Sequence, residues 1–194
     1  MKKLLFTAAI AVLGFTNVNA QEEATTTGFA KGDLFVSGSV GFNSSKTGDA
    51  KSNNLNFSPS VGYFISENIA LEVNLMIGSG EDAVDTKTTD LGAGLGATYF
   101  FTPSNKFSFT VGAGFGYANS KVEFDGGGEV KVDSFRFAVA PGVHYFISDK
   151  FALRASVGAL SYESAKADGA DDATNDFGLN IDLSDINFGL VYKF

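Results

Sequence analysis

The side chains able to do chemistry are few and scattered. His144 is the sole histidine, and the chain has no cysteine. That leaves no thiolate nucleophile, no thiolate metal site and no disulfide framework. A histidine-based hydrolase needs a serine and a carboxylate placed around the imidazole. No such constellation assembles around His144, and an internal hydrogen bond accounts for it better. Gly92-Ala93-Gly94-Leu95-Gly96 has the glycine density of a phosphate cradle. It alternates strictly and opens no helix, so the dinucleotide reading fails. Asp168, Asp171, Asp172 and Asp176 crowd the segment 163–178, where they could hold Ca²⁺. Their spacing is not that of an EF-hand loop, and a solvated acidic loop is the simpler reading. No catalytic residue, metal site or cofactor is expected.

Charge narrows the partners further. The 194 residues carry 14 Lys plus Arg against 22 Asp plus Glu, a net charge of −8 that makes nucleic acid a poor partner. Hydrophobic residues at 44% exclude a disordered chain, and the length suits one domain. Lys2 and Lys3, an apolar run from Leu4 to Phe15, and Val18-Asn19-Ala20 before Gln21 follow the plan of a secretory signal peptide. Cleavage is expected between Ala20 and Gln21, which removes residues 1–20 and two of the cations. The apolar run is too short for a membrane anchor, which needs about 20 residues. Residues 21–30 then form a short N-terminal segment, and 31–194 the fold itself.

From Lys31 onward the apolar period is two, the signature of half-buried strands. Eight segments show it. The third sets Ile69, Leu71, Val73, Leu75 and Ile77 against Glu72 and Asn74. The fifth sets Phe107, Phe109, Val111, Ala113, Phe115 and Tyr117 against Ser108, Thr110, Gly112, Gly114 and Gly116. In the last, Ile181 and Leu183 have the opposite parity to Ile186 and Phe188, so a bulge is expected near Ser184. Pro59 and Pro141 each lose a ladder bond and favour bulges too. Short connections alternate with long polar ones at about 44–52, 79–87, 120–131 and 163–178. The motifs Tyr63-Phe64-Ile65-Ser66, Tyr99-Phe100-Phe101-Thr102 and Tyr145-Phe146-Ile147-Ser148 mark three hairpin repeats.

Which face is inside decides the class. A soluble sandwich would bury the large apolar face, but the other face is rich in Gly and Ser and carries Glu72, Arg136 and Arg154 in mid-strand. Glycines at alternate positions would leave a soluble core hollow. In a membrane barrel the pattern is consistent: apolar residues such as Val73, Val111 and Leu153 meet lipid, and small and polar ones share the lumen. The fold class is therefore all-β, an eight-stranded antiparallel up-and-down transmembrane β-barrel. Charges in a cramped lumen are costly alone, so Glu72, Arg136 and Arg154 are expected to pair, directly or through water, with Asp90, Asp185 and Lys193 at the ends. Phe64, Phe100 and Phe146 point inward just before the short turns, and Phe35 inward at a similar height. These four rings, with His144 nearby, are expected to plug one end. Above them Gly92, Gly94, Gly114 and Gly116, with Asn54, Asn56 and Ser58, would leave a polar cup. The rival reading has Arg136 and Arg154 filling it.

The chain after Gly28 resembles the small outer-membrane β-barrel family, the eight-stranded porin-family and outer membrane protein X-like group. The most specific likeness is the end, Asn187-Phe188-Gly189-Leu190-Val191-Tyr192-Lys193-Phe194. It is similar to the family's assembly signal, a polar residue, a glycine two later, then hydrophobics to a terminal aromatic. The resemblance implies that Asn187, Gly189, Tyr192 and Phe194 are read by the barrel-assembly machinery, with the unpaired strand adding to a sheet edge. It implies a monomer in a Gram-negative-type outer membrane, surrounded by lipid and lipopolysaccharide, with loops outside. The family is broad in function. A structural or surface-interaction barrel, filled and largely non-conducting, is the leading expectation; a narrow channel for small or apolar solutes is its rival, and an enzyme comes third.

Overall fold

The computed structural model describes residues 27–48, 50–180 and 186–194. Every element in it is a strand. They are β1 (Leu34–Thr47), β2 (Ala50–Phe64), β3 (Ile69–Glu81), β4 (Lys87–Phe100), β5 (Phe107–Glu123), β6 (Glu129–Phe146), β7 (Phe151–Val157), β8 (Ala159–Ala167), β9 (Thr174–Asn180) and β10 (Ile186–Lys193). No helix among the described residues is long and apolar enough to cross a membrane, so crossing falls to strands.

Antiparallel ladders join each strand from β1 to β7 to the next, and β7 to β10. The ring closes where β10 meets β1, from Phe35↔Lys193 to Gly38↔Leu190. β7 and β8 are the lower and upper parts of the seventh stave, and β10 and β9 those of the eighth. Eight staves therefore make the wall. The apolar positions face outward: Val73, Leu95, Phe109 and Leu153 are all exposed on the surface. The small and polar positions line the inside, an inversion of the soluble pattern that only a lipid solvent makes favourable.

The breaks in the staves have local causes. Between Val139↔Leu160 and Gly142↔Ser156, Ala140 and Pro141 on β6 face three residues, Val157, Gly158 and Ala159. This is a one-residue bulge on the strand facing Pro141, which has no N–H to offer there, and Gly158 takes the left-handed φ of +63° that it needs. Pro59 behaves differently from expectation. Its ladder to β3 skips from Phe57↔Ile77 to Ser60↔Asn74 with the register unchanged, so the missing donor costs pairing without inserting a residue. The bulge expected near Ser184 lies outside the described residues. The outward face does change parity across that stretch, from Phe177 and Leu179 to Phe188 and Leu190.

The expected long loops are mostly strand. β1 and β2 run to a tight turn at Gly48, and β5 and β6 pair out to Glu123↔Glu129. Polar residues can extend a ladder once alternation is no longer imposed by lipid, and here Lys121 bridges Glu123 at 2.9 Å and Glu129 at 2.7 Å. The short turns at the other end explain the repeat. The hydroxyls of Ser66 and Ser148 accept the amides of Ile69 and Phe151, each at 3.1 Å, while Thr102 donates to the Phe107 carbonyl at 2.9 Å.

Candidate functional site

The end of the barrel that carries the short turns holds a cluster of buried aromatic rings. Phe35, Phe64, Phe100 and Phe146 all point inward and are buried. Each stands where its strand's inward parity coincides with a short turn, which puts the four at one level. The centre of the cluster is a fifth ring that periodicity does not reveal. Phe29 belongs to the segment before β1, is only 3% exposed, and lies 4.5–5.6 Å from the rings of Phe35, Phe64, Phe100 and Phe146.

The segment that delivers Phe29 crosses under the barrel. The Phe29 amide donates to the Pro103 carbonyl at 2.7 Å, and the Lys193 Nζ donates to the Gly28 carbonyl at 2.5 Å. Thr27 donates to Asp149 at 2.9 Å, and the Gly32 amide to the Phe64 carbonyl at 2.9 Å. Gly28 has φ +117°, and a Cβ there would lie 2.4 Å from the Ser104 backbone, so only glycine lets the strap press against the β4–β5 turn. Residues 27–30 of the short N-terminal segment are thus packed into the barrel's end. The one signal available was a phenylalanine isolated in a polar stretch.

His144 sits among these rings, 5.1–5.5 Å from Phe29, Phe100 and Phe146, and its Nε2 has no hydrogen-bond partner among the described residues. The internal hydrogen bond expected for it is absent at that atom. Among the described residues no serine or carboxylate hydrogen-bonds to its Nε2.

Beside this cluster in the lumen, Glu72 on β3 gathers donors from across the barrel. Its Oε2 accepts from Arg154 Nη1 at 2.6 Å and from Ser60 Oγ at 3.0 Å, and its Oε1 from Thr98 at 3.4 Å. The same Arg154 Nη1 reaches Ser37 at 3.1 Å, and Ser37 and Ser60 are 2.6 Å apart. Side-chain exposure is 12% for Glu72 and 43% for Arg154, so the acid is buried under the base. Arg136 does not join them. It stands far up β6 opposite Gly116 and Glu163, without a hydrogen bond or ion pair among the described residues. The expected trio is a pair plus a separate cation. Eight residues of tilted strand between Arg136 and His144 put it on the order of 20 Å above the floor, out of reach of Glu72.

The other end groups also divide. Asp90 accepts from Ser120, while Lys193 turns to the strap, 3.7 Å from Asp33. Asp185 and the Ala20–Gln21 junction lie outside the described residues. Among the terminal positions Tyr192 packs on Phe151 and Phe194, and Gly189 lies opposite Arg154. The backbone of Asn187 pairs with Ser156. Among the described residues no three His, Asp or Glu side chains converge as a metal site would require, at 168–176 or elsewhere.

Above the floor is a cavity of about 570 Å³, lined by Ser39, Ser58, Asn74, Met76, the β5 glycines and Arg136. Arg136 and Arg154 line it without filling it.

A family model described as "Outer membrane protein beta-barrel domain" matches residues 8–194. No curated protein matches the chain. Among solved structures, Neisserial surface protein A is similar at 18% identity and a TM-score of 0.56, over 83% of this chain and 97% of that one. The outer membrane protein OprG from Pseudomonas aeruginosa is similar at 15% identity and a TM-score of 0.53, over 89% and 99%. The translocator domain of the autotransporter NalP from Neisseria meningitidis follows at 11% identity and a TM-score of 0.51, over 89% and 67%. At these identities the likeness is one of fold.

Proposed function

Because the chain belongs to the outer membrane protein beta-barrel family, we propose that it is a structural or surface-interaction barrel, closed at its periplasmic end and non-conducting. The packing of Phe29 among Phe35, Phe64, Phe100 and Phe146 carries this reading. Five rings and His144 fill the cross-section at one level, and an eight-stranded barrel has room for little else. The short turns and the strap then face the periplasm, and the extended β5–β6 and β8–β9 hairpins face outward.

On this reading the leader is cleaved between Ala20 and Gln21 in a Gram-negative-type cell. The assembly machinery takes the terminal strand through Asn187, Gly189, Tyr192 and Phe194. The finished monomer sits in lipid and lipopolysaccharide. Single-channel recording in planar bilayers tests the closure. Wild-type protein should show no steady conductance, and Phe64→Ala with Phe100→Ala should create it. Clear wild-type steps would favour the rival, a narrow channel for small or apolar solutes.

A further inference from the structure

Among the described residues Arg136 forms no hydrogen bond or ion pair, whereas Arg154 lower in the lumen is held by Glu72. Its surroundings are small and apolar below, with Ser134 above it on β6 and the Glu163 carboxylate across the ladder. Ala138 and Ala140 are the next inward positions down β6, and Gly116, Gly114 and Gly112 stand opposite Arg136, Ala138 and Ala140 on β5. The Met76 methyl closes that pocket from β3, 3.4 Å from where a Gly116 Cβ would stand. These glycines do not all serve packing. A Cβ on Gly94 would lie 2.5 Å from Asn74 Oδ1, but on Gly114 its nearest neighbour is a backbone oxygen at 3.5 Å. The β5 wall leaves space that the fold itself does not require.

We propose that the upper lumen is a binding site for a small organic monoanion, a carboxylate with a slender apolar body. Its head takes the open donors of the Arg136 guanidinium, which matches a carboxylate with two parallel hydrogen bonds. Its body lies against Met76, Gly114, Ala138 and Ala140. Glu163, across the ladder from Arg136, disfavours a doubly charged head. A cavity of about 570 Å³ is within the range of small-molecule sites. Arg154 is the weaker candidate for the head, because Glu72 already holds it.

Met76 makes the test direct, since it is the only methionine besides Met1. In protein labelled at the methionine methyl and held in phosphatidylcholine nanodiscs, hexanoate should shift the Met76 resonance saturably. Hexan-1-ol and hexylammonium should not. Arg136→Gln should weaken the hexanoate response about tenfold or more, the scale of a charged hydrogen bond lost. Gly114→Leu should block it with Arg136 intact and the barrel folded, so the outcome does not hang on one variant. The proposal is overturned if hexanol titrates like hexanoate, if Arg136→Gln binds like wild type, or if Arg154→Gln alone abolishes the shift. The readout is binding above the floor, so it stands or falls apart from conductance.

Discussion

The ring of Phe35 lies across the backbone of Gly62 on the neighbouring strand, so close that a Cβ on Gly62 would be 2.1 Å from the ring's Cζ. The two are ladder partners. One supplies the ring and the other the absence of a side chain beneath it, and the ring has Phe29 and Phe64 on its other sides. Gly62→Ala should therefore destabilise the barrel by about 1–3 kcal/mol, the usual cost of overpacking. Gly114→Ala should be close to neutral. Urea titration of folded barrel in the same lipid checks the contrast, and equal midpoints would mean that the Phe35 ring can move aside.

Phe29 belongs to the strap and not to the ladder, and its ring anchors the strap on the rings of β1, β2, β4 and β6. Phe29→Ala should leave the barrel's melting unchanged while undocking residues 27–33, since a buried Phe lost to Ala costs about 3–5 kcal/mol where it packs. Tryptic cleavage after the neighbouring Lys31 reads this. It should be slow in wild type and faster by an order of magnitude or more in the variant.

The strands were legible because lipid imposes strict alternation. The four floor rings were legible as inward-parity residues next to turns. Phe29 was not, because it lies outside any periodic segment and its place depends on the strap's path under β4 and β5. The split between Arg154 and Arg136 was also hidden. Parity assigns a face, and height comes only from register: Arg154 is level with His144, and Arg136 with Gly116. The outer extensions were missed for another reason. Polar sequence reads as loop, yet the ladder beyond the membrane is held by backbone bonds and by pairs such as Lys121 with Glu129.

Glu72 and Arg154 should be energetically coupled. Removing the base alone leaves a carboxylate that is 12% exposed with only hydroxyl donors. A double-mutant cycle with Glu72→Gln and Arg154→Gln should give a coupling of about 1–2 kcal/mol, reduced from a fully buried pair because Arg154 is partly open to the lumen. Strict additivity would show that the 2.6 Å contact contributes nothing.

The β5–β6 tip should respond to acid. Hydrogen bonds from Lys121 and then Lys131 hold the exposed Glu129 carboxyl below the usual carboxylate range. A carboxylate with a depressed folded-state pKa contributes order above its ordinary range and loses it as pH falls through the lowered value. Amide exchange at Val122 and Val130 should therefore be slow near neutral pH. Corrected for intrinsic rates, it should lose protection only below the ordinary Glu range. Glu129→Gln should remove that step without changing exchange near Phe64.

The outward face gives the sharpest check on the whole assignment. Val73, Val111 and Leu153 project from three staves towards lipid. An arginine at each should cost about 2–4 kcal/mol near the midplane and less toward the rims. Gly114→Ser, which adds a hydroxyl to the polar side of the same wall, should cost far less, because its Cβ meets only ordinary contacts. Folding titrations into lipid vesicles measure both. If the serine is as damaging as the arginines, the lumen has no room at Gly114 and the cup is filled. If the arginines are as harmless as the serine, that face does not meet hydrocarbon.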